Sequence, residues 1–490
     1  MDQDNINEQI KRYVSNLDRD VYTVSNIPEE VVAVIFAYVS RSPKSFRENI
    51  GTVIQEEELG QERASKFHEK WVLNYGHASV AEHAAVHIGI EKVSRLFSSI
   101  LELSNEFLSF TEYSQRYQKP QKGDNYIPFE LDSNKKLKNE FVSLCDFQYE
   151  LYTKLNGELF EFLKTKYPVP DGMDEKSHFR ALEKIAFEDA RYALNLSTLT
   201  NLGMTANARA IEDTLSILLS SKYSEVCKRA EEIKNEVRFS VPTLVKYADK
   251  NSYLVNTEEN LSKYISTNFN IDGDYSGEGS ETNLLDFTGK GDEFPEQTAL
   301  FELAKGLMFE YSDISYHDIE NQLINNKGLK EFFNLAIKDL GKYDNPKNIL
   351  KLIKYKAEFV LSEANWHQLL RHRKVNWTVK EPSIINGYTV PPHIKESGTI
   401  GLLIDAIEKS EILYNKLIES GYENISPYVV TNAHNRRVMA DFDLWELYHL
   451  INLRMSEGAQ WDIKNSITDL ANKISEFHPN LVKPALERVN

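Results

Sequence analysis

The chain has 490 residues, of which 41% are hydrophobic and 27% are charged, proportions that are ordinary for a soluble globular protein. This length exceeds the usual size of a single hydrophobic core, so we expect at least two domains. The 57 basic and 74 acidic residues leave a net charge of −17. This balance argues against a nucleic-acid or membrane-surface partner, because there is no basic excess to contact phosphates.

No targeting or membrane segment is visible in the sequence. Residues 1–5 lack the basic region followed by an apolar core that marks a signal peptide, and no apolar stretch is long enough to span a bilayer. Cys145 lies in an apolar helical run and is predicted to be a core residue, while Cys227 has no identifiable catalytic base nearby. Two cysteines in no pair motif predict a reducing compartment, and hence a cytoplasmic protein.

Helical patterns dominate the first half of the chain. Pro28, followed by two glutamates, predicts a helix start, and residues 31–38 supply an apolar face. Residues 76–91 fit either a buried strand or a helix, and their periodicity does not separate the two. Residues 136–166 predict a long amphipathic helix, and residues 207–237 predict another.

The second half begins after a change in composition. Residues 271–296 are rich in Gly, Asp, Glu and Ser with little apolar periodicity, which predicts a surface connection. Two large parts on either side of it prompt a search for internal duplication. Residues 403–420 and 444–474 again predict helices, and residues 388–390 have a short β-like pattern. Together these patterns predict a mixed α/β (α+β) fold.

A bipartite motif occurs twice, and each occurrence lacks a different half. The first part reads FTEYSQRY at 110–117, but SNE at 104–106 precedes it. The second part reads QLLRHR at 368–373, but EPSIIN at 381–386 follows it. Joined together, the intact halves resemble the signature of the flavin-dependent thymidylate synthases, Gln-x-x-Arg-His-Arg followed by Glu-x-Ser-x-Arg-Tyr. Each part of the chain therefore keeps what the other has lost.

Other landmarks of this family recur in the same order. Residues 76–83, GHASVAEH, are similar to its early Gly-His-x-Ser-x-x-Glu-His element, and residues 207–209 match its Asn-x-Arg. In the second part, residues 452–454 resemble its Asn-Leu-Arg and residues 459–463 its Ala-Gln-Trp-Glu-Ile. The losses are again complementary, since Leu218 stands near the place of the arginine that the second part keeps.

The resemblance implies two tandem synthase-like domains, each with a mainly antiparallel sheet and long helices. We predict a first copy at 1–250, an acidic connection at 251–296 and a second copy at 297–490. The family builds its sites between subunits of a homo-oligomer, so the two copies imply one composite site and a homodimer that mimics a homotetramer. The implied reaction is FAD-dependent methylation of dUMP at C5 to dTMP, with methylenetetrahydrofolate and NADPH as co-substrates.

The resemblance also implies roles for individual residues. The catalytic residues would be Ser114, Arg116 and Arg371. The residues that bind dUMP would be Glu112, Ser114, Gln115, Arg116, Arg191, Gln368, Arg371 and Arg454. The residues that bind FAD would be Ser40, His77, Ser79, Glu82, Asn207, Arg209, Arg371, His372 and Arg373. Apart from the resemblance, guanidinium groups are well suited to hold a phosphate monoester.

Two other patterns predict no site. His77, His83 and His87 could suggest metal ligands, but no convergent carboxylate motif accompanies them, so we predict no metal. The glycines at 273–279 superficially suggest a phosphate loop, but the surrounding acidic residues would repel a pyrophosphate.

The residues leave three functions open. The first is an active thymidylate synthase. The second is a flavoenzyme that alkylates another uridine nucleotide, because the same residues would serve. The third is a non-catalytic protein that binds a nucleotide or flavin, although complementary losses argue against independent drift of two copies.

Overall fold

The structure is a computed structural model that describes residues 10–40, 42–54, 78–116, 118–270, 279–324 and 328–489. Among these residues, no helix is both long and apolar enough to cross a membrane. The chain divides into two compact units. The first unit comprises residues 1–113 and 199–272, and the second comprises residues 114–198 and 273–490.

Helices and antiparallel strands alternate along both halves, which confirms the mixed α/β class. Up to residue 268 the elements are α1 (Glu29–Tyr38), α2 (Phe46–Ile54), β1 (Ala85–Ser94), α3 (Arg95–Leu103), β2 (Ser109–Glu112), α4 (Lys135–Lys166), α5 (Glu175–Ala190), β3 (Leu199–Asn207), α6 (Ala208–Leu219), α7 (Ser224–Val237) and α8 (Ser252–Asn268). Thereafter they are β4 (Glu281–Phe287), α9 (Pro295–Tyr311), α10 (Tyr316–Leu323), α11 (Leu329–Ile337), β5 (Lys354–Ser362), α12 (Glu363–Leu369), β6 (Asn376–Val379), α13 (Pro392–Glu396), α14 (Ile400–Glu419), β7 (Asn435–Asp443), α15 (Leu444–Arg454), α16 (Trp461–Ser475) and α17 (Pro479–Glu487).

Within the described residues each unit contains one antiparallel sheet, as the family resemblance implies. In the first unit the strand order is β1-β3-β2. In the second unit the order is β4-β5-β7-β6, and β5 pairs with β7 from Lys354 opposite Asp443 to Ser362 opposite Asn435. Alternate residues of β7 are buried, which is the period of a strand with one face on the core.

The helices of segment 114–198 form part of the core of the second unit. Leu155 and Leu163 of α4 are fully buried, and they belong to the same cluster as Leu182 of α5 and Leu403 and Ile407 of α14. Burial of aliphatic side chains on this scale is the main stabilising contribution to such a layer. Residues from the first predicted copy and from the second therefore share one hydrophobic core.

The last residue of a strand caps the following helix in both units. The side chain of Ser94 accepts a hydrogen bond from the backbone N–H of the third residue after it, and Asn207, Ser362 and Asp443 do the same at the starts of α6, α12 and α15. Such caps satisfy backbone donors that a helix start leaves without partners. They fix the starting points of the helices that carry several predicted site residues.

The compact units divide the chain differently from the predicted copies. The first copy was placed at 1–250, yet residues 114–198 of that range belong to the second unit. The predicted boundaries describe which segments descend from each copy of a duplicated domain, and they stay a prediction. They are 1–250, 251–296 and 297–490. A hydrophobic pattern alone does not show which of two similar cores a segment packs into. The inclusion of residues 114–198 in the second unit therefore could not be predicted from the sequence.

Two predicted long helices are broken in the structure, and the predictions were wrong in this respect. The range 207–237 forms α6 and α7, which are separated at Ser220 and Ser221. The range 444–474 forms α15 and α16, and the side chain of Gln460 caps the second of these by accepting from the N–H of Asp462. Amphipathic periodicity runs through such breaks, because both helices of a pair bury the same face. The helices predicted at 136–166 and 403–420 are confirmed as α4 and α14.

The predicted connection at 271–296 is only partly correct. Residues 271–278 lie outside the described residues, but residues 281–287 form β4, which pairs with β5. Pairing across the sheet here outweighs a local composition that favours loops. Conversely, residues 388–390 form no strand, and Tyr388 makes only an isolated bridge to His434.

The core position predicted for Cys145 is confirmed, and burial raises the pKa of its thiol to about 11.

Candidate functional site

Three arginines interact within the second unit, and we call them the arginine cluster: Arg116, Arg371 and Arg454. Arg116 lies shortly after the end of β2, Arg371 follows α12, and Arg454 is the last residue of α15. Burial, followed by the positive charges of Arg371 and Arg116, lowers the pKa of Arg454 to about 10. The guanidinium group stays protonated at neutral pH. A group of three neighbouring cations is chemically suited to bind an anion such as a phosphate monoester.

Arg116 is held in place by two contacts inside the second unit. Its Nε donates to Oε1 of Glu188 at 2.7 Å, and its Nη2 donates to the carbonyl oxygen of Gly458 at 3.2 Å. The side chain is 17% exposed. The backbone N–H of Arg116 also donates to the hydroxyl of Ser114 at 3.2 Å, so these two predicted site residues form one turn.

Arg191 lies beside the same glutamate. Its side chain is 4% exposed, and its Nε donates to the backbone carbonyl of Glu188 at 3.3 Å. The backbone carbonyl of Arg191 accepts from the side-chain amide of Asn432 at 2.9 Å. Glu188 therefore contacts two of the arginines that the sequence assigns to dUMP, one through its carboxylate and one through its backbone.

Two glutamine side chains add neutral polar groups to this region. Gln368 donates to the carbonyl oxygen of Ala364 at 3.0 Å and to Oε1 of Gln460 at 3.2 Å. Among the described residues, Oε1 of Gln368 and Nε2 of Gln115 are buried and have no hydrogen-bond partner. An amide oxygen and an amide N–H of this kind match the donor and acceptor groups on the edge of a pyrimidine.

Arg454 is supported by a buried histidine. Its Nε donates to Nε2 of His372 at 2.8 Å, and its Nη2 donates to the backbone carbonyl of Gln368 at 2.9 Å. The other ring nitrogen of His372, Nδ1, lies 3.0 Å from Oε1 of Glu446. Burial and the charge of Arg454 lower the pKa of His372 to about 3, and burial raises the pKa of Glu446 to about 7.

Most of the other predicted site residues that the structure describes lie in the first unit. Arg209 forms an exposed ion pair with Glu82 at 2.5 Å, Asn207 caps α6, and Ser40 and Ser79 are exposed. His77 lies outside the described residues.

Glu112 is engaged in a buried ion pair. Its Oε1 accepts from Nη1 of Arg95 at 2.7 Å and from the hydroxyl of Thr200 at 3.1 Å. The side chains of Arg95 and Glu112 are 4% and 1% exposed. In this arrangement the carboxylate stabilises the first unit rather than presenting a free face to a ligand.

Replacing Glu112 by alanine is expected to destabilise the first unit by about 3 kcal/mol, because the change leaves the charge of Arg95 buried without its partner. The measurement is thermal unfolding monitored by calorimetry. Glu82→Ala is the matched control, since its ion pair with Arg209 is half exposed and screened by solvent. A melting temperature that falls equally in both variants would contradict the structural role of Glu112.

The residues predicted to bind FAD fit that group in part. Arg371 and Arg373 of the second unit are exposed, and two guanidinium groups suit the two negative charges of a pyrophosphate. Arg209 of the first unit is half exposed. His372 does not fit, because it is 3% exposed and both of its ring nitrogens are engaged within the protein.

Sequence reasoning did not identify Glu188, Glu446 or Gly458, which the structure places in contact with predicted site residues. Gly458 contributes its backbone carbonyl, which every residue type has, so its residue type gives no signal of this contact. Glu188 lies three residues before Arg191, so both follow one helical face, and this spacing was a usable signal. Glu446 lies eight residues before Arg454 in α15, where nothing in its type distinguishes it from a surface acid.

Comparison with known proteins identifies the family. The family model for thymidylate synthase complementing protein, Thy1, matches residues 7–243 and 302–480. A UPF0159 protein from Chlamydia muridarum is 24% identical over 501 residues, which covers 96% of this chain and 92% of that protein. A UPF0159 protein from Thermoplasma acidophilum is also 24% identical and covers 91% of this chain and 93% of that protein.

Relatives with a described activity cover less of the chain. A flavin-dependent thymidylate synthase from Clostridium tetani is 29% identical over 222 residues, 45% of this chain and 82% of that protein. Among solved structures, thymidylate synthase X from Helicobacter pylori with FAD and dUMP aligns with a TM-score of 0.33 and 15% identity, over 42% of this chain and 99% of that one. Because the family model matches two segments that make up most of the sequence, the chain belongs to the flavin-dependent thymidylate synthase family.

Proposed function

We propose that this chain methylates dUMP at C5 to form dTMP, with methylenetetrahydrofolate as the one-carbon donor, NADPH as the reductant and FAD as the cofactor. The observation that carries the proposal is the arginine cluster. Arg116 comes from the first predicted copy, whereas Arg371 and Arg454 come from the second, and all three interact within one compact unit. The two copies thus contribute complementary residues to one anion site.

The side chains divide the recognition of the nucleotide between them. We assign the phosphate, which carries up to two negative charges, to Arg191, Arg371 and Arg454. We assign the polar edge of the uracil ring to Gln368 and Gln115, because each has a buried amide atom without a hydrogen-bond partner among the described residues. Arg116 would lie near the ring carbonyls, where its charge offsets the negative charge that develops as C5 bonds to carbon.

The bound flavin supplies hydride, and the protein supplies position and electrostatics. The transferred carbon arrives at the oxidation level of formaldehyde, so two electrons from NADPH are required to make a methyl group, and C5 loses its proton. Neither described cysteine suits a covalent attack on the pyrimidine. Burial raises the pKa of both Cys145 and Cys227, which keeps them as thiols at neutral pH.

The proposal predicts that two serines in equivalent motif positions differ in importance. Ser114 contacts the backbone of Arg116 and lies at the arginine cluster, whereas Ser383 is followed by Ile385, which is 63% exposed, instead of an arginine. We expect Ser114→Ala to lower kcat/KM for dUMP about tenfold, the effect of one lost hydrogen bond to a charged group. Ser383→Ala should leave kcat/KM within about twofold of the wild-type value. Equal losses in steady-state assays of both variants would contradict a single composite site.

The direct test is release of tritium from dUMP labelled at C5, measured with FAD, NADPH and methylenetetrahydrofolate. We expect release that depends on every component and is matched by formation of dTMP. Release from labelled UMP but not from dUMP would identify another uridine nucleotide as the substrate. Folded protein that binds the nucleotide but takes up no flavin and releases no tritium would instead be a non-catalytic relic.

We also propose that the chain is a cytoplasmic homodimer. The three residues of the arginine cluster come from one compact unit of one chain, so on this proposal two chains would supply what four subunits of a homotetramer supply elsewhere in the family. Light scattering of the purified protein should give twice the monomer mass of 56.5 kDa.

A further inference from the structure

Helix α8 carries large apolar side chains that are not buried in a core. The structure describes every residue of α8, Ser252–Asn268, and none of them is buried. The three aromatic side chains of this region and Leu261 are between 55% and 70% exposed. We call the following side chains the apolar stripe: Tyr253, Leu254, Leu261, Tyr264, Ile265 and, just after the helix, Phe269. At about 100° per residue its members within the helix fall inside an arc of roughly 120°, the pattern of a helix that packs against a partner.

A helix of this kind is normally stabilised by burial of its apolar face, because so short a helix is only marginally stable in water. At its start, the backbone N–H of Asn251 donates to the hydroxyl of Ser220 at 2.8 Å, which attaches α8 to the first unit. At its end, the rings of Tyr264 and Phe269 lie edge to face with centroids 6.2 Å apart, so they form one patch. We propose that α8 is a self-association surface, at which the apolar stripes of two copies of this chain pack against each other in antiparallel orientation.

This surface is separate from the nucleotide site and from the parts of the chain that match the family. The family model matches residues 7–243 and 302–480, and α8 lies in the interval between them. The contact is therefore not one that the family resemblance implies, and it does not depend on the nucleotide chemistry. It builds on the proposed homodimer, because it names the face at which the two chains meet.

The order of side chains along the stripe makes it complementary to itself. Both ends read tyrosine followed by an aliphatic residue, at 253–254 and at 264–265. When two such helices lie antiparallel about a two-fold axis level with position 259, each of these tyrosines faces an aliphatic residue of the other copy. Leu261 then lies beside the axis, opposite Thr257. A two-fold contact requires this reciprocity, since residue i of one copy contacts residue j of the other and j contacts i.

The charges on the helix favour a second copy over a membrane surface. By helical periodicity Glu259 and Lys263 lie on the face away from the stripe, and the exposed Glu258 lies at its edge, where solvent screens its charge. Two chains that each carry a net charge of −17 can therefore meet at the stripe without burying like charges against each other. An amphipathic helix that binds a membrane is rich in basic residues on its polar face, and α8 has one.

The exposed apolar area is sufficient for a modest dimer. A fully buried aromatic side chain contributes about 150–250 Å², so the exposed parts of the stripe amount to roughly 500 Å² on each copy. Two copies would bury roughly 1000 Å² in all, which is near the lower limit of a specific interface. A contact of this size should dissociate on dilution, so a concentration series can measure its strength.

Crosslinking tests the antiparallel geometry directly. Leu261→Cys places a thiol two residues from the axis, so the two copies of this thiol are separated by about 6 Å along the helices. Asn268→Cys, nine residues from the axis on the same face, places the two thiols roughly 27 Å apart. We expect a short bismaleimide to join two Leu261→Cys chains and to leave Asn268→Cys chains separate. The wild-type chain, with its buried Cys145 and half-buried Cys227, is the background control.

Dissociation tests the contribution of the stripe to the strength of the dimer. Leu261→Glu places a carboxylate beside the axis in both copies, and it should raise the dissociation constant at least about a hundredfold. Lys263→Gln changes the net charge by the same amount on the other face of α8, and it should leave the constant within about twofold. Glutamate is a good helix former and Leu261 is not buried, so Leu261→Glu should fold like the wild type. Sedimentation of the full chains over a concentration series measures both constants.

Support for the proposal requires the crosslink at position 261 together with dissociation of Leu261→Glu. Dissociation without that crosslink, or equal crosslinking at positions 261 and 268, would refute the antiparallel contact. A dimer that resists Leu261→Glu and gives no crosslink would overturn the surface itself, and the homodimer would then form through another face. A wild-type chain that stays monomeric at every concentration would contradict both the surface and the homodimer.

Discussion

Replacement of Arg116 by alanine is expected to lower kcat/KM for dUMP by about a thousandfold, the upper range for removal of one group that stabilises a developing negative charge. The residue is held by Glu188 and by the carbonyl of Gly458, so its guanidinium is oriented before the substrate binds. Arg371→Ala should abolish turnover to a similar degree. The measurement is initial-rate kinetics of tritium release for each purified, flavin-loaded variant.

Two controls distinguish this effect from a general change in charge. Lys119→Ala removes a nearby cation whose ion pair with Glu183 is largely exposed, and it should leave kcat/KM nearly unchanged. Arg116→Lys keeps the charge but loses the planar pair of donors, so it should recover only part of the activity. Normal turnover in Arg116→Ala or Arg371→Ala would remove the shared-site account.

Replacement of Asp462 by alanine is expected to destabilise the second unit by about 4 kcal/mol. The carboxylate is fully buried and accepts from Tyr192 at 2.7 Å, from Ser362 at 2.5 Å and from Asn365 at 3.2 Å. Alanine would leave these donors buried without their acceptor, and each such loss costs about 1–3 kcal/mol less any relaxation. Calorimetric unfolding of the variant measures the effect.

Asp469→Ala is the matched control, because Asp469 lies on the same helix and is 46% exposed. It should leave the melting temperature close to the wild-type value. Since Tyr192 comes from the first predicted copy and Asp462 from the second, the expected loss also measures how strongly the two copies are joined inside one unit. A melting temperature for Asp462→Ala equal to that of the control would show that this network contributes little.

The three residues of the arginine cluster could be selected from the sequence because the signal for each is local. Arg116, Arg371 and Arg454 each lie in a short motif whose residue types and spacing are specific, and complementary losses linked the two halves. Helices α4 and α14 could also be predicted from the sequence, because a long amphipathic pattern is typical of a helix. These features depend on neighbours within one helical turn or one motif.

Features that depend on distant partners could not be predicted. The buried pair of Glu112 with Arg95 requires two elements to meet, whereas the family resemblance implies only that Glu112 binds the nucleotide. His372 belongs to a motif that implies contact with flavin, yet its neighbours in space, Glu446 and Arg454, occupy both ring nitrogens. Strand β4 forms in an acidic, glycine-rich segment because β5 offers it an edge.

The most direct measurement of the central claim is the stoichiometry of dUMP binding to the flavin-loaded chain, determined by equilibrium dialysis. One composite site predicts about one nucleotide per chain, with binding lost in Arg116→Ala and, separately, in Arg454→Ala. Two equivalent nucleotides per chain, or full binding that survives either substitution, would show that the copies do not share a site.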